Sequence, residues 1–288
     1  MTSDIRPRKS IGQHFLRDER VAQRIVEAIH PAAGDCILEI GPGDGALTKY
    51  LVQSEARLVL VDIDERAIAH LQRLYGNRAE IVHCDILTID LATAARNSNA
   101  GLVRVVGNIP YYITSPILFH VLDHRKNVKD LTIMVQKDVA QRLAACHGSK
   151  EYGVTSVFTQ LLSEVELLFD VQPGSFHPRP QVTSSVIRLT MREKPQFAVD
   201  DEAFFRSVVR TAFGMRRKTM RNSLRPFLQH CQEAIDAITL ARRPEELSVG
   251  ELASLANSLY RSIPAAGTRN MLTIGPRTSL SRKDHSHA

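Results

Sequence analysis

From Cys36 to Leu143, short β-branched and aliphatic runs alternate with amphipathic stretches, and this alternation leaves few architectures open. "CILEIG" (Cys36–Gly41), "RLVLVD" (Arg57–Asp62), "AEIVHCD" (Ala79–Asp85), "LVRVVGN" (Leu102–Asn108) and "DLTIMVQ" (Asp130–Gln136) read as buried strands. A glycine-rich turn and a helix through about Glu55 follow the first strand, a helix from Asp64 to Tyr75 follows the second, and "KDVAQRLAA" follows the last. Upstream, Val21, Ile25, Val26 and Ile29 fall at helical spacing and predict an amphipathic helix from Asp18 to His30. The pattern predicts an α/β fold, with a parallel sheet covered by helices. Such sheets bind ligands at the carboxyl ends of their strands.

After Val154 the pattern changes. "VELLFDV" and "VTSSVIRLTM" are β-rich, bracket a proline-rich loop, Gln172–Gln181, and fit an antiparallel pair at the sheet edge. From about Asp200 only helical text remains, in "DEAFFRSVVRTAF", "KTMRNSLRPFL" and "SVGELASLANSLY". This predicts an α/β domain over residues 1–195 and a small helical domain over 196–260. The stretch 261–288, rich in Ser, Thr, Pro and Arg, reads as a disordered tail.

The 288 residues carry a formal charge of +6, which points to a polyanionic partner. Four scattered cysteines, Cys36, Cys84, Cys146 and Cys231, show no metal-ligand spacing and fit a reducing cytosol. The amino-terminal "MTSDIRPRKSIGQHFL" has no apolar core of a secretory signal, and no run approaches the ~20 apolar residues of a membrane span. A cytoplasmic protein with neither membrane nor metal partner is expected, with a monomer as the default.

"LEIGPGDGALT" (Leu38–Thr48) follows a strand and opens a helix. Gly41, Gly43 and Gly45 remove side chains where the backbone must approach a ligand. Asp62 ends the next strand, placed for ribose hydroxyls. The same glycines satisfy the loose dinucleotide pattern, so a nicotinamide site stands beside other readings. Glu39 and Asp85 tilt the balance toward S-adenosylmethionine. Glu39 precedes the first glycine, where it can meet a cationic amino-acid moiety, and Asp85 ends a third strand, where it can accept from an adenine amine. Three carboxylates suit a sulfonium and an ammonium and repel a pyrophosphate.

"VVGNIPYYITSP" (Val105–Pro116) places Asn108, Pro110 and Tyr111 where a buried strand stops. An exocyclic adenine amine is a poor nucleophile because its lone pair is delocalised into the ring. The Asn108 oxygen and a nearby backbone carbonyl could take its two hydrogens and aim the lone pair at a methyl donor. Pro110 fixes the turn, and Tyr111 can stack on the base. Tyr112 reads as a half-buried packing residue.

These motifs resemble the ribosomal RNA adenine dimethyltransferases. "KSIGQHFL", "EIGPGDGALT", "VDIDERA", "HCDIL", "GNIPYYITSPILFH", "MVQKDVAQRL", "YGVTSVFTQ" and "FHPRPQVTSSV" follow in that family's order, over about Lys9 to Tyr260. The resemblance implies a Rossmann-like S-adenosylmethionine-dependent methyltransferase sheet. It implies that His14 and Leu16 contact the cofactor, that Asp62 holds its ribose and Asp85 its adenine, and that Asn108 and Tyr111 hold the target base with Phe176 flanking it from the other side. Asp62 stands where many members carry Glu, which shortens the reach to the ribose, and Ser10-Ile11 replaces a basic–aromatic pair.

"RTAFGMRRKTMRNSL" (Arg210–Leu224) resembles the signature of the members that modify the small subunit. From Ala203 to Gln232 there are seven Arg or Lys and no acid. Arg206, Arg210, Arg217 and Arg221 fall at roughly helical spacing, and Lys9, Arg210, Arg216, Arg217, Lys218 and Arg221 are the expected phosphate contacts. The resemblance implies N6,N6-dimethylation of two adjacent adenosines near the 3′ end of 16S rRNA within an immature 30S subunit. A large-subunit rRNA methyltransferase and a non-catalytic assembly factor are the alternatives.

Overall fold

Strands form where the β-branched runs predicted them. The computed structural model describes residues 5, 12–96, 98, 101–231 and 235–264. In chain order the first elements are β1 (Phe15–Leu16), α1 (Glu19–Ile29), β2 (Cys36–Ile40), α2 (Thr48–Leu51), β3 (Arg57–Asp62) and α3 (Glu65–Tyr75). Then come β4 (Glu80–His83), α4 (Leu91–Ala95), β5 (Val103–Asn108), α5 (Thr114–Asp123), β6 (Val128–Gln136) and α6 (Lys137–Leu143). They are followed by α7 (Val154–Leu162), β7 (Ser163–Val171), β8 (Phe176–His177) and β9 (Ser184–Met191). Five helices complete the chain: α8 (Glu202–Gly214), α9 (Met220–Ser223), α10 (Arg225–Leu228), α11 (Ala237–Ala241) and α12 (Val249–Ser262).

The seven-stranded sheet runs β4-β3-β2-β5-β6-β9-β7. β4 through β6 are parallel, and β9 and β7 are antiparallel at the edge, as the β-rich text after Val154 predicts. β2 is buried along its whole length, as a strand covered on both faces must be. The chain winds from β2 toward β4 on one side and from β5 toward β6 on the other. The reversal between β2 and β5 is a topological switch point.

Local signals set the helix starts. Asp18 caps α1 by accepting from the Arg20 and Val21 N–H groups, and Asp64 caps α3 by accepting from Arg66 N–H. α1 ends at His30, which takes a left-handed conformation with φ 51°. Arg104 on β5, a buried cation within the sheet, is met by Asp130 at 2.6 Å and Asp35 at 3.0 Å. That neutralises a guanidinium that is only 7% exposed.

The helix expected through Glu55 is shorter. Gly43 and Gly45 hold φ of 58° and 85°, outside helical space, so α2 begins only at Thr48. It ends at Leu51, whose carbonyl accepts from the Ser54 hydroxyl. α7 has no counterpart in the sequence reading, because Val154, Thr155, Val157 and Thr159 weaken its helical signal. The Gly153 N–H to Ser156 Oγ bond closes its first turn instead. Nor did the sequence announce the two-stranded ribbon of β1 with β8, in which Phe15 faces His177 and Leu16 faces Phe176.

The chain divides into two compact units. One holds residues up to 145 together with 159–196, and the other holds 146–158 and the described residues from 197 onward. The second unit is helical. Its core places the Phe204 ring edge-on to Phe227 and Tyr260, and Phe158 edge-on to Phe205. "KTMRNSLRPFL" forms two short helices, α9 and α10, because Pro226 can sit only in the first turn of the second. The stretch expected to be a disordered tail lies, from residue 265, outside the described residues.

Candidate active site

A cleft of about 250 Å3 opens at the switch point, within the first unit. Its floor is the close approach of β2 and β5, where Gly107 lies opposite Ile40. A Cβ on Gly107 would sit 2.7 Å from the Ile40 carbonyl oxygen, so only glycine fits there.

The glycine turn forms one wall. Gly41, with φ 61°, has no atom within 4 Å of where its Cβ would stand and faces open space. The other two glycines serve the chain's own packing. A Cβ on Gly43 would come within 2.9 Å of the Phe15 ring, and one on Gly45 within 3.2 Å of the Tyr75 ring. The expectation that all three make room for a ligand therefore holds its geometric ground only at Gly41.

Four carboxylates ring the cleft. Glu39 is 2% exposed, and among the described residues its carboxylate accepts one hydrogen bond, from the Thr48 hydroxyl at 2.7 Å. Burial, with Asp62 and Asp44 nearby, pushes its carboxyl up to about 8. Asp62 binds the backbone: Oδ2 accepts from Gly43 N–H at 3.1 Å and Oδ1 from Asp64 N–H at 2.8 Å. Burial raises its carboxyl as well. Asp85 accepts from Leu87 N–H through Oδ1, and its Oδ2 makes no hydrogen bond among the described residues. The fourth, Asp44, was missed by sequence reasoning. Its partner Arg17, at 2.7 Å, lies in a segment whose position no local signal reveals.

That segment, Gly12 to Arg17, straps across the cleft. His14 donates from Nδ1 to the Pro178 carbonyl at 2.7 Å, and its own carbonyl accepts from Asn108 Nδ2 at 3.0 Å. The Phe15 ring lies over Gly43, and Leu16, 3% exposed, lines the cleft beside His14. Arg17 N–H donates to the Ser175 carbonyl.

Opposite the glycine turn stand Asn108, Pro110 and Tyr111. With Nδ2 engaged by His14, Asn108 Oδ1 has no partner among the described residues. The Pro110 carbonyl is taken by Ile113 N–H at 3.1 Å, so the acceptor left in the motif is the Ile109 carbonyl. The Tyr111 ring stacks near His14, with centroids 5.9 Å apart and planes at 26°. Its phenol and the Ser184 hydroxyl share a hydrogen bond of 2.6 Å. Tyr112 is 68% exposed at the rim, not half-buried as expected, because the turn after Pro110 directs it outward.

Two further expectations are corrected. Phe176 does not line the cleft; it is 3% exposed and belongs to the apolar cluster around Phe15 and Leu16. Its β8 backbone pairs with Leu16, and that turns the ring into the core. The basic run does not form one helical face. Arg206 and Arg210 lie on α8, Arg216 to Lys218 in the turn after it, and Arg221 on α9. Arg216 is tied to the Ser149 carbonyl at 3.2 Å and to Glu245 at 3.7 Å, while Arg217, Lys218 and Arg221 are exposed. Lys9 lies outside the described residues. Among the described residues no group of His, Cys, Asp or Glu is arranged to hold a metal ion, and no helix is long and apolar enough to cross a membrane.

A family model described as "Ribosomal RNA adenine dimethylase" matches residues 5–261. A "Ribosomal RNA small subunit methyltransferase A" of Geobacter metallireducens is 43% identical over 264 residues, 88% of this chain and 96% of that protein. One of the same name from Xanthomonas euvesicatoria is 42% identical over 252 residues, 87% of this chain and 95% of that protein. Among solved structures, a dimethyladenosine transferase from Plasmodium falciparum shares the fold, with a TM-score of 0.69 at 23% identity, over 84% of this chain and 96% of that one. The 23S rRNA methyltransferase ErmE matches with a TM-score of 0.60 at 27% identity, over 83% of this chain and 99% of that one.

Proposed function

The chain belongs to the ribosomal RNA adenine dimethylase family, and from that premise we propose that it transfers methyl groups from S-adenosylmethionine to N6 of two adjacent adenosines near the 3′ end of 16S rRNA. The small-subunit assignment is supported by relatives more than 40% identical over nearly their whole length. The proposed setting is an immature 30S subunit in the cytoplasm, met by a monomer.

The observation that carries the reading is the Asn108 carboxamide. Its nitrogen is held by the strap, and its oxygen is left as an acceptor at the mouth of a carboxylate-lined cleft. The cleft fits the cofactor. Gly41 offers backbone with open space beside it, Glu39 is a buried carboxylate with no cation bonded to it among the described residues, and Asp85 keeps one oxygen for an amine. Glu39 would face the ammonium, Asp62 the ribose and Asp85 the adenine, with His14 and Leu16 closing the methionine end.

When bound, S-adenosylmethionine supplies an electrophilic methyl on a sulfonium. Asn108 Oδ1 and the Ile109 carbonyl accept the two N6 hydrogens, which draws the lone pair out of conjugation and fixes its direction. Tyr111 stacks on the extruded base. The nitrogen–carbon bond would form as the methyl's bond to sulfur breaks, the electron pair staying on sulfur as a neutral thioether that leaves, and the nitrogen would shed one proton to water. An N6 that already carries a methyl has one hydrogen fewer, so only one of the two acceptors can take a hydrogen from it in the second transfer. The helical unit, with Arg210, Arg217, Lys218 and Arg221, binds the RNA backbone.

The test is transfer of tritiated methyl groups to immature small subunits. Unmethylated particles should accept label at N6 of adenosine, and fully methylated ones should not. Equal incorporation in both, or labelling of large-subunit RNA alone, would overturn the proposal.

A further inference from the structure

The Tyr111 side chain has one polar atom, and it is bonded to a residue that nothing in the reaction scheme above uses. Ser184 is completely buried and opens β9. It pairs in register with Gln136 of β6 on one side and Val171 of β7 on the other. A Cα held between two strands has little freedom to move. The side chains alternate along β9: the Ser185 hydroxyl donates to Asp170 at 2.6 Å, while the Ser184 hydroxyl meets Tyr111 at 2.6 Å. The two adjacent serines therefore have different partners.

We propose that Ser184 is a positioning residue that sets the plane of the Tyr111 ring against the target base. The proposal rests on the adenine-N6 reading given above. A tyrosine has two side-chain torsions. The turn closed by Ile113 N–H on the Pro110 carbonyl fixes the backbone beneath the ring, and the bond to Ser184 fixes the far end. The ring is then held in place before a base arrives, and stacking does not have to order it. His14 stands nearly parallel to it at 5.9 Å, within the same cleft. Removing the Ser184 hydroxyl leaves a half-buried phenol with no other partner among the described residues, and the ring is released to turn toward solvent.

The experiment is a double-mutant cycle on Ser184→Ala and Tyr111→Phe, with Ser184→Thr as the hydroxyl-bearing control. Methyl transfer to unmethylated small subunits and thermal stabilisation by S-adenosylhomocysteine are both measured. Ser184→Ala is expected to lower kcat/KM for RNA by about tenfold, with cofactor stabilisation unchanged. Tyr111→Phe should lose a similar amount, the double variant no more than either single one, and Ser184→Thr should recover most of the activity. Ser184→Ala within twofold of an active wild type would overturn the inference, as would additive losses in the double variant or a parallel loss of cofactor stabilisation. Should the wild type itself fail to methylate adenosine N6, the functional reading falls with it.

Discussion

The Asn108 carboxamide donates to the main-chain carbonyl of His14, a residue 94 positions earlier, at 3.0 Å. One bond therefore joins the strap over the cleft to the turn after β5, and it also decides which end of the carboxamide faces outward. The donor end is used inside the protein and the acceptor end is presented. A closed strap and a correctly turned Asn108 are the same structural state.

Two substitutions separate these duties. Asn108→Ala removes both the acceptor and the tie to the strap, and kcat should fall by at least ~100-fold, as expected when a positioned acceptor is lost. Asn108→Asp keeps acceptors but sets a carboxylate against the His14 carbonyl. Strap closure should suffer, and S-adenosylhomocysteine should bind more weakly. Calorimetric titration beside single-turnover methylation reads both effects.

Cofactor binding is expected to depend on pH through Glu39. Its carboxyl, ordinarily near 4.5, is raised to about 8 by burial. Between those values the folded chain holds a proton that the unfolded chain has lost. Stability of the ligand-free protein should therefore fall as pH rises through that window, and Glu39→Gln should flatten the slope. A bound ammonium favours the carboxylate, so binding below about pH 8 should release a proton, and affinity should rise with pH. Calorimetry in two buffers of different ionisation enthalpy measures the proton directly; no release at pH 7 would count against the assigned contact.

Gly43→Ala and Gly41→Ala should differ in kind. Both place a side chain at positive φ, at a strain of ~1–2 kcal/mol. At Gly43 the added Cβ also meets the Phe15 ring at 2.9 Å and should lift the strap. At Gly41 it projects into open space and should leave the strap seated while obstructing the cofactor. Protease sensitivity of the amino-terminal segment should rise in the first variant only.

Salt dependence distinguishes the basic residues. Replacing exposed Arg217, Lys218 and Arg221 by Ala should reduce the slope of log binding constant against log salt by up to ~0.7–0.9 per residue. Arg216→Ala should instead lower the thermal midpoint of the protein, because its guanidinium holds the Ser149 carbonyl and Glu245. RNA titrations at several salt concentrations, with a melting curve for each variant, check both.

The sequence by itself determined the sheet and the contents of its crevice. Strand runs a few residues long carry their own periodicity, and the caps Asp18 and Asp64 bond to N–H groups two or three residues away. Glu39, Asp62, Asp85 and Asn108 were readable as lining the crevice because each closes a strand or stands within two residues of its end, and in a parallel sheet all those ends share one edge. Only the tertiary structure decided what covers that edge. The bonds that set the strap, His14 to Pro178 and Asn108 to His14, span 164 and 94 residues. Whether Phe176 faced a base or the core depended on its register with Leu16, and whether Gly43 served a ligand or Phe15 depended on where β1 came to rest. Local preferences reach about one helical turn; partners this far apart meet only through the packing of the whole fold.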